Sequence, residues 1–249
     1  MPSTLKPPFL TLQRQPLYLQ AKASILDAIS AGAWKPGEAI PAEARLAELF
    51  GISIGTVRHA VDELVTENIL VRRHGYGTYV KSYASGGFWN NFQRFQRLDG
   101  SFLLFSGELL ACELIPAPET AARHLSIPAV APVFHLRRRV FIDKKPYGED
   151  EIFLTTDAAK GLSTEALSGI VNSNGSVYRF YENTFGLVIT DASDCVEAIG
   201  ADEALAELCG VPVGTPFFKL TRTSRTFGKK PVEFRIERCM ATGTCMRFD

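Results

Sequence analysis

The chain has 249 residues, 46% of them apolar, with 27 basic and 27 acidic side chains and a formal net charge of zero. That is enough apolar material for two cores of ordinary size, and the charge balance excludes an overall basic field, so any nucleic-acid partner must be met by a local patch. The cysteines Cys112, Cys195, Cys209, Cys239 and Cys245 come without a CxxC pair or clustered histidines, which predicts reduced thiols, no disulfide framework, no metal and no cofactor.

The first residues, MPSTLKPPFL, lack the charged start and apolar run of a signal peptide, and no segment approaches the roughly 18 apolar residues of a membrane helix. A cytoplasmic protein is expected. Residues 1–15 carry prolines without periodicity and are expected to form a loose arm. From there Tyr18, Ile25, Leu26 and Ile29 recur on one helical face, and the run stops at Gly32 before the Pro36-Gly37 turn. A second helix follows Pro41, with Leu46, Leu49 and Phe50 as its expected buried face, and ends at Gly51. A third carries Val57, Val61 and Leu64 inward. Helices joined this tightly make a helix-turn-helix corner.

VRRHGYGTYV, residues 71–80, reads as a two-stranded ribbon turning on Gly75 and Gly77, with Arg72, Arg73 and His74 at its tip. Three helices and a basic hairpin over 16–81 describe a winged helix. The third helix opens with the hydroxyls of Ser53 and Thr56, the bare backbone of Gly55 and the guanidinium of Arg58. Helix N-terminal amides attract phosphate and arginine reaches guanine edges, so this turn suits base reading, while the wing suits the DNA backbone. The plainer readings are a Ser53 cap with a solvated Arg58, and a charged edge strand that discourages aggregation.

A polar stretch at 82–91 is the expected linker, and 92–249 the second domain, where strands mix with helices; the whole is α+β. Within it LSIPAVAPVFHLRR recurs as LCGVPVGTPFFKLTR at a spacing of about 84, each copy after an Ala-rich helical run and before a Lys-Lys-Pro turn. Two helix-plus-hairpin units imply a pseudo-symmetric domain. Strand alternation gives Phe134, Leu136, Arg138, Val140 and Ile142 one face, and Asp150 an apolar face of the next strand, with Arg222 equivalent to Arg138 in the repeat. Charges on apolar faces must be satisfied by one another or by something bound. Two inward arginines suggest an anion site; a buried Arg138–Asp150 pair of purely structural value is the alternative.

PLYLQ, WKPGEAIPAEARLAELFGISIGTVRHAV and RRHGYGTYV resemble the N-terminal winged-helix domain of GntR-family bacterial transcription regulators. The resemblance implies a homodimer on double-stranded operator DNA, with the third helix in a major groove and the wing along the adjacent minor groove. Ala44 stands where the family commonly has arginine, with Arg45 one position later, and Ile54 replaces another frequent arginine, so the operator sequence does not carry over.

From about Phe88, and most clearly in LRRRVFIDKKP, GSVYRFYENTFGLVIT and KKPVEFRIER, the chain resembles the UTRA effector-binding domain of the HutC-like branch. That implies a chorismate-lyase-like antiparallel sheet with helices, whose cleft takes a small metabolite, and a repressor released by it. Arg138 matches the first arginine of the R-x-R-x-x-D-G-x-P pattern, Val140 replaces the second and Lys144 the glycine. Asp150, Tyr178 and Glu233 stand at the positions of an acid after the proline, the tyrosine of Ser-Leu-Tyr and the glutamate of Pro-Val-Glu. Two other functions remain open: an enzyme with a catalytic cleft of this fold, and a winged-helix adaptor without effector. Against catalysis, Glu149, Asp150 and Glu151 stand without a nucleophile–base set, HExxH motif or phosphate loop, and His124 and His135 have no evident partner.

Overall fold

The computed structural model describes residues 15–82, 94–101, 103, 105–161, 163–172 and 177–248. Of the expected arm and linker, only Gln15 and Ser82 fall among them.

Helix α1, Leu17–Ser30, starts after Pro16 and buries Ala21, Ile25 and Ile29. Helix α2, Glu43–Phe50, stops where Gly51 turns left-handed at φ 65°, a conformation glycine adopts without steric cost. Helix α3, Ile54–Thr66, is capped by Ser53, whose Oγ accepts from the Thr56 amide at 3.1 Å. Val57, Val61 and Leu64 close on Ile25, Leu46 and Val80 to form the first core. Leu49 departs from expectation, being 58% exposed. In so short a helix the buried stripe runs through Leu46, Ala47 and Phe50, and Leu49 projects about 110° away from its centre. Strands β1, Leu70–Arg73, and β2, Gly77–Val80, pair antiparallel as the wing, with Gly75 at φ 76° and Gly77 at φ 118° in the reversal.

The second part pairs β3, Phe95–Arg97, with β10, Thr244–Met246. Its body is a six-stranded antiparallel sheet in the order β4-β5-β6-β9-β8-β7. The strands are β4 Phe105–Pro116, β5 Pro132–Ile142, β6 Lys145–Thr155, β7 Asp191–Gly200, β8 Pro216–Thr226 and β9 Lys230–Met240. Helix α4, Glu119–Leu125, precedes β5, and α7, Glu203–Cys209, precedes β8, both on one face of the sheet. Helices α5, Thr164–Ser168, and α6, Val177–Phe185, cover part of the other.

The chain thus runs β4-α4-β5-β6 and then β7-α7-β8-β9, two copies of one unit joined along the β6–β9 seam. This is the duplication that the repeated segments imply. Backbone conformation follows it too. Ser126 at φ 54° corresponds to Gly210 at φ 68°, and Val130 at φ 62° to Gly214 at φ 83°. A β-branched residue at positive φ is strained, and Val130 is solvent-exposed, so its side chain contributes little packing in return. Val130→Gly is expected to raise stability by about 1 kcal/mol, the relief of strain exceeding the entropy that glycine costs, read as a higher Tm. An unchanged or lower Tm would count against that strain.

At the seam, a Cβ on Gly148 would lie 2.0 Å from the Arg238 carbonyl oxygen, so the backbones meet where no other residue fits. The sheet's two margins, β4 and β7, carry Glu108, Glu113, Asp191, Asp194 and Glu197. The two parts touch through Phe227, which packs against both cores, and through Lys229 Nζ, 3.8 Å from Glu67. All five cysteines are free thiols. Among the described residues no helix is long and apolar enough to cross a membrane, and no cluster has the composition of a metal site.

Candidate nucleic-acid interface and effector cleft

The winged helix presents its polar residues on one exposed surface. Ser53 and Gly55 are exposed at the start of α3, and Thr56 is half-buried with its hydroxyl 2.8 Å from that of Ser53. A Cβ at Gly55 would meet nothing nearer than the Ser53 Oγ at 3.8 Å, so the backbone there is open to approach. Arg58 is 61% exposed, yet its Nε donates to Glu43 Oε2 at 2.9 Å. Arg72 donates to the other oxygen of the same carboxylate at 2.8 Å and reaches Asp62 at 2.5 Å. Arg73 lies over the Tyr79 ring at 4.5 Å, and His74 is exposed at the wing tip. Arg45 pairs with Glu48 at 2.8 Å on the outer side of α2. Glu43 and Asp62 went unrecognised in the sequence, because their link to the arginines joins helices and wing across 15 to 29 residues for Glu43.

In the sheet, pleating and register bring the inward polar residues of four strands together on the face that α6 covers. Arg138 of β5 lies directly opposite Asp150 of β6; its Nε donates to Oδ2 at 3.1 Å, and a terminal nitrogen donates to the same oxygen. Asp150 in turn faces Glu237 of β9. Arg222 of β8 pairs outward with Asp194 of β7, at 2.6 and 2.8 Å, and Arg94 joins the same carboxylate at 2.8 Å. Hence the two repeat-equivalent arginines find their acids in opposite directions, Arg138 toward the seam and Arg222 toward the margin. Glu233 is fully buried and accepts from Tyr181 at 2.6 Å, Ser224 at 2.9 Å, Arg235 at 2.9 Å and Tyr178 at 3.3 Å.

Burial alone would raise the Asp150 carboxyl, but Arg138 and Arg235 beside it bring it below the ordinary range. Glu237 is raised by burial and by Asp150 across the strands, so the facing acids differ in readiness to ionise. Asp194 is lowered by Arg222 and Arg94 in spite of its burial. Burial and Glu233 push the Tyr178 hydroxyl up to about 12, which keeps it a neutral donor. The sequence-predicted Arg138, Asp150, Tyr178, Arg222 and Glu233 therefore share one buried network, to which the fold adds Arg235, Asp194, Glu237, Tyr181 and Ser224.

Two atoms in this network, Asp150 Oδ1 and Arg235 Nε, lack a hydrogen bond among the described residues, although they face each other at 3.8 Å. A cavity of about 820 Å³ lies elsewhere, between Trp34 and Lys35 of the first domain and Phe185, Phe227 and Lys230 of the second. The histidines do have partners, on the opposite sheet face. His135 meets Glu151 at 2.8 Å and stacks on Phe153; His124 meets Thr223 at 2.9 Å and stacks on Phe234.

Comparison with known proteins matches these two halves separately. Residues 17–80 match the bacterial regulatory proteins of the gntR family, and residues 105–242, more than half of the chain, match the UTRA domain. The chain is 28% identical over 219 residues to the mannosyl-D-glycerate transport/metabolism system repressor MngR of Escherichia coli (strain K12), covering 86% of each. It is 32% identical over 136 residues to the histidine utilization repressor of Klebsiella aerogenes, covering 48% of this chain and 50% of that one. The solved ligand-binding domain of a GntR-family regulator from Bordetella bronchiseptica superposes with a TM-score of 0.57 at 26% identity, over 64% of this chain and 96% of that one. The winged helix with its exposed arginines, the duplicated sheet with its buried polar face, and these matches agree: the chain belongs to the GntR family of transcription regulators that carry a UTRA effector domain, and is not an enzyme.

Proposed function

We propose that the chain represses transcription as a homodimer on a two-fold-symmetric operator, and that a small metabolite with an anionic group, bound in the UTRA domain, releases or modulates it. Such a reader of chromosomal DNA works in the cytoplasm. For the DNA half, the support is the shared exposed surface of the α3 N-terminus and the wing. Arg58 is the group we assign to a base edge, with Ser53, Gly55 and Thr56 around it; Arg72, Arg73, His74 and the glycines Gly75 and Gly77 meet the backbone, and Arg45 flanks them.

For the effector half, one observation carries the reading: a buried donor and a buried acceptor at the centre of the network make no hydrogen bond and meet only each other, at an ion-pair distance of 3.8 Å. Native interiors rarely leave such groups unmatched. Arg235 Nε calls for an acceptor such as a carboxylate or phosphate, and Asp150 Oδ1 calls for a hydroxyl or ammonium donor. Around them Arg138, Arg222, Tyr178 and Glu233 supply the remaining polar contacts. A thermal-shift panel of hydroxy-acids, amino acids and sugar phosphates, with uncharged sugars and polyols beside them, tests this, because a ligand of the folded state raises Tm with the logarithm of its concentration. A panel in which only uncharged compounds stabilise the chain would remove the anionic requirement.

The two arginine roles on DNA separate in binding measurements. Arg58→Ala should cost about 1 to 3 kcal/mol on a duplex enriched from a randomised pool, and relax preference at one position per half-site. Arg73→Ala should weaken enriched and random duplexes alike and lower the salt dependence by about one contact. Equal losses on both duplexes for Arg58→Ala would take away its base-reading role.

A further inference from the structure

Glu43 is the first residue of α2, and its two carboxylate oxygens serve different elements: Oε2 accepts from Arg58 of α3 at 2.9 Å, Oε1 from Arg72 of β1 at 2.8 Å. Asp62 of α3 holds Arg72 from the other side at 2.5 Å. Both arginines are exposed, at 61% and 44%, where a long cationic side chain would otherwise sample many rotamers and bind any phosphate within reach. Glu43 itself is only 23% exposed, seated between the elements it joins.

We infer that Glu43 is a positioning residue that sets sequence discrimination. It acts in two ways. Holding Arg58 by its Nε fixes the direction of the guanidinium before DNA arrives, so less ordering is needed when the matching base edge is present. Holding both arginines also cancels charge that would serve the phosphate backbone at any sequence, and leaves a carboxylate close to that backbone when Arg58 finds no base. The wrong site is thus penalised as well as the right one favoured. This rests on the reading of Arg58 as the base-contacting group.

The test uses the full chain, a duplex enriched by it from a randomised pool, and a random-sequence duplex. Glu43→Gln removes the charge and weakens both tethers. It should bind the random duplex at least as tightly as wild type, lower the ratio of enriched to random affinity by about ten-fold, and steepen the salt dependence by about one contact. Glu43→Asp keeps the charge but is one methylene too short to bridge both arginines. Its ratio should fall too, with random-duplex affinity held at the wild-type level. Tm should be unchanged in both, which separates positioning from folding. A ratio equal to wild type in both variants, or enriched and random affinities falling in proportion, overturns the inference. A wild-type chain that enriches no sequence removes the reading of Arg58, and this inference with it.

Discussion

Asp150→Ala is expected to destabilise the second domain by about 3 to 5 kcal/mol, because it leaves Arg138 in the interior without its carboxylate. Arg138→Ala should cost nearly as much for the converse reason, since Asp150 is wholly buried and Arg235 stands no nearer than 3.8 Å. Replacing both, Arg138→Met with Asp150→Leu, should recover most of the loss, because two apolar side chains need no desolvation of charge. Chemical denaturation of the four proteins, compared each with wild type, measures this. Asp150 is held below the ordinary carboxylate range, so its contribution is complete at neutral pH and fades as the pH falls through that lowered value. The gap between wild type and Asp150→Ala should accordingly narrow in acid. DNA binding below the melting range should survive in every variant, the winged helix being a separate core. An Asp150→Ala protein as stable as wild type would mean that the carboxylate is held for a ligand and contributes nothing to the fold.

Gly148→Ala is the second large effect. The added Cβ would stand 2.0 Å from the Arg238 carbonyl oxygen and 3.0 Å from the Cys239 Cα, and both neighbours are backbone. No rotamer change relieves such a contact; β6 and β9 must move apart, and with them the two halves of the sheet. A loss of about 3 kcal/mol or more is expected, at the upper end for overpacking. Gly107→Ala provides the control, since its Cβ would meet the Arg138 guanidinium, the end of a long side chain, at 3.4 Å and the Arg139 carbonyl oxygen at an ordinary contact distance of 3.7 Å. Equal melting temperatures for the two alanine variants would show that the seam tolerates widening.

What sequence reading captured, and what it missed, divides along chain separation. The winged helix was legible because its punctuation is local: Gly51 after α2, the Ser53 cap and the Gly75–Gly77 reversal each act within a few residues. The inward facing of Arg138 and Asp150 was legible because strand alternation has period two and their strands form one hairpin. Leu49 misled because apolar character was read without enough turns to fix the stripe. Arg235, Asp194 and Glu237 were missed for another reason. Asp150 meets Arg235 only because β6 lies beside β9, and that adjacency is a property of the whole sheet, absent from either strand alone. The repeat predicted two similar units but left open how they join.

The placement of the acids on β4 and β7 also bears on how copies of the chain behave at high concentration. An open sheet ends in two rows of backbone donors and acceptors that invite further strands, and here those margins are 12 and 10 residues long. Glu108 and Glu113 point from one, Asp191 and Glu197 from the other, all exposed. Glu108, Asp191 and Glu197 already lie against Arg139, Arg225 and Lys219 of the neighbouring strand, so a strand arriving at either margin meets a row of charged, hydrated ion pairs beside the open backbone. Charged side chains at both limits of the sheet thus count against end-to-end growth into a continuous sheet.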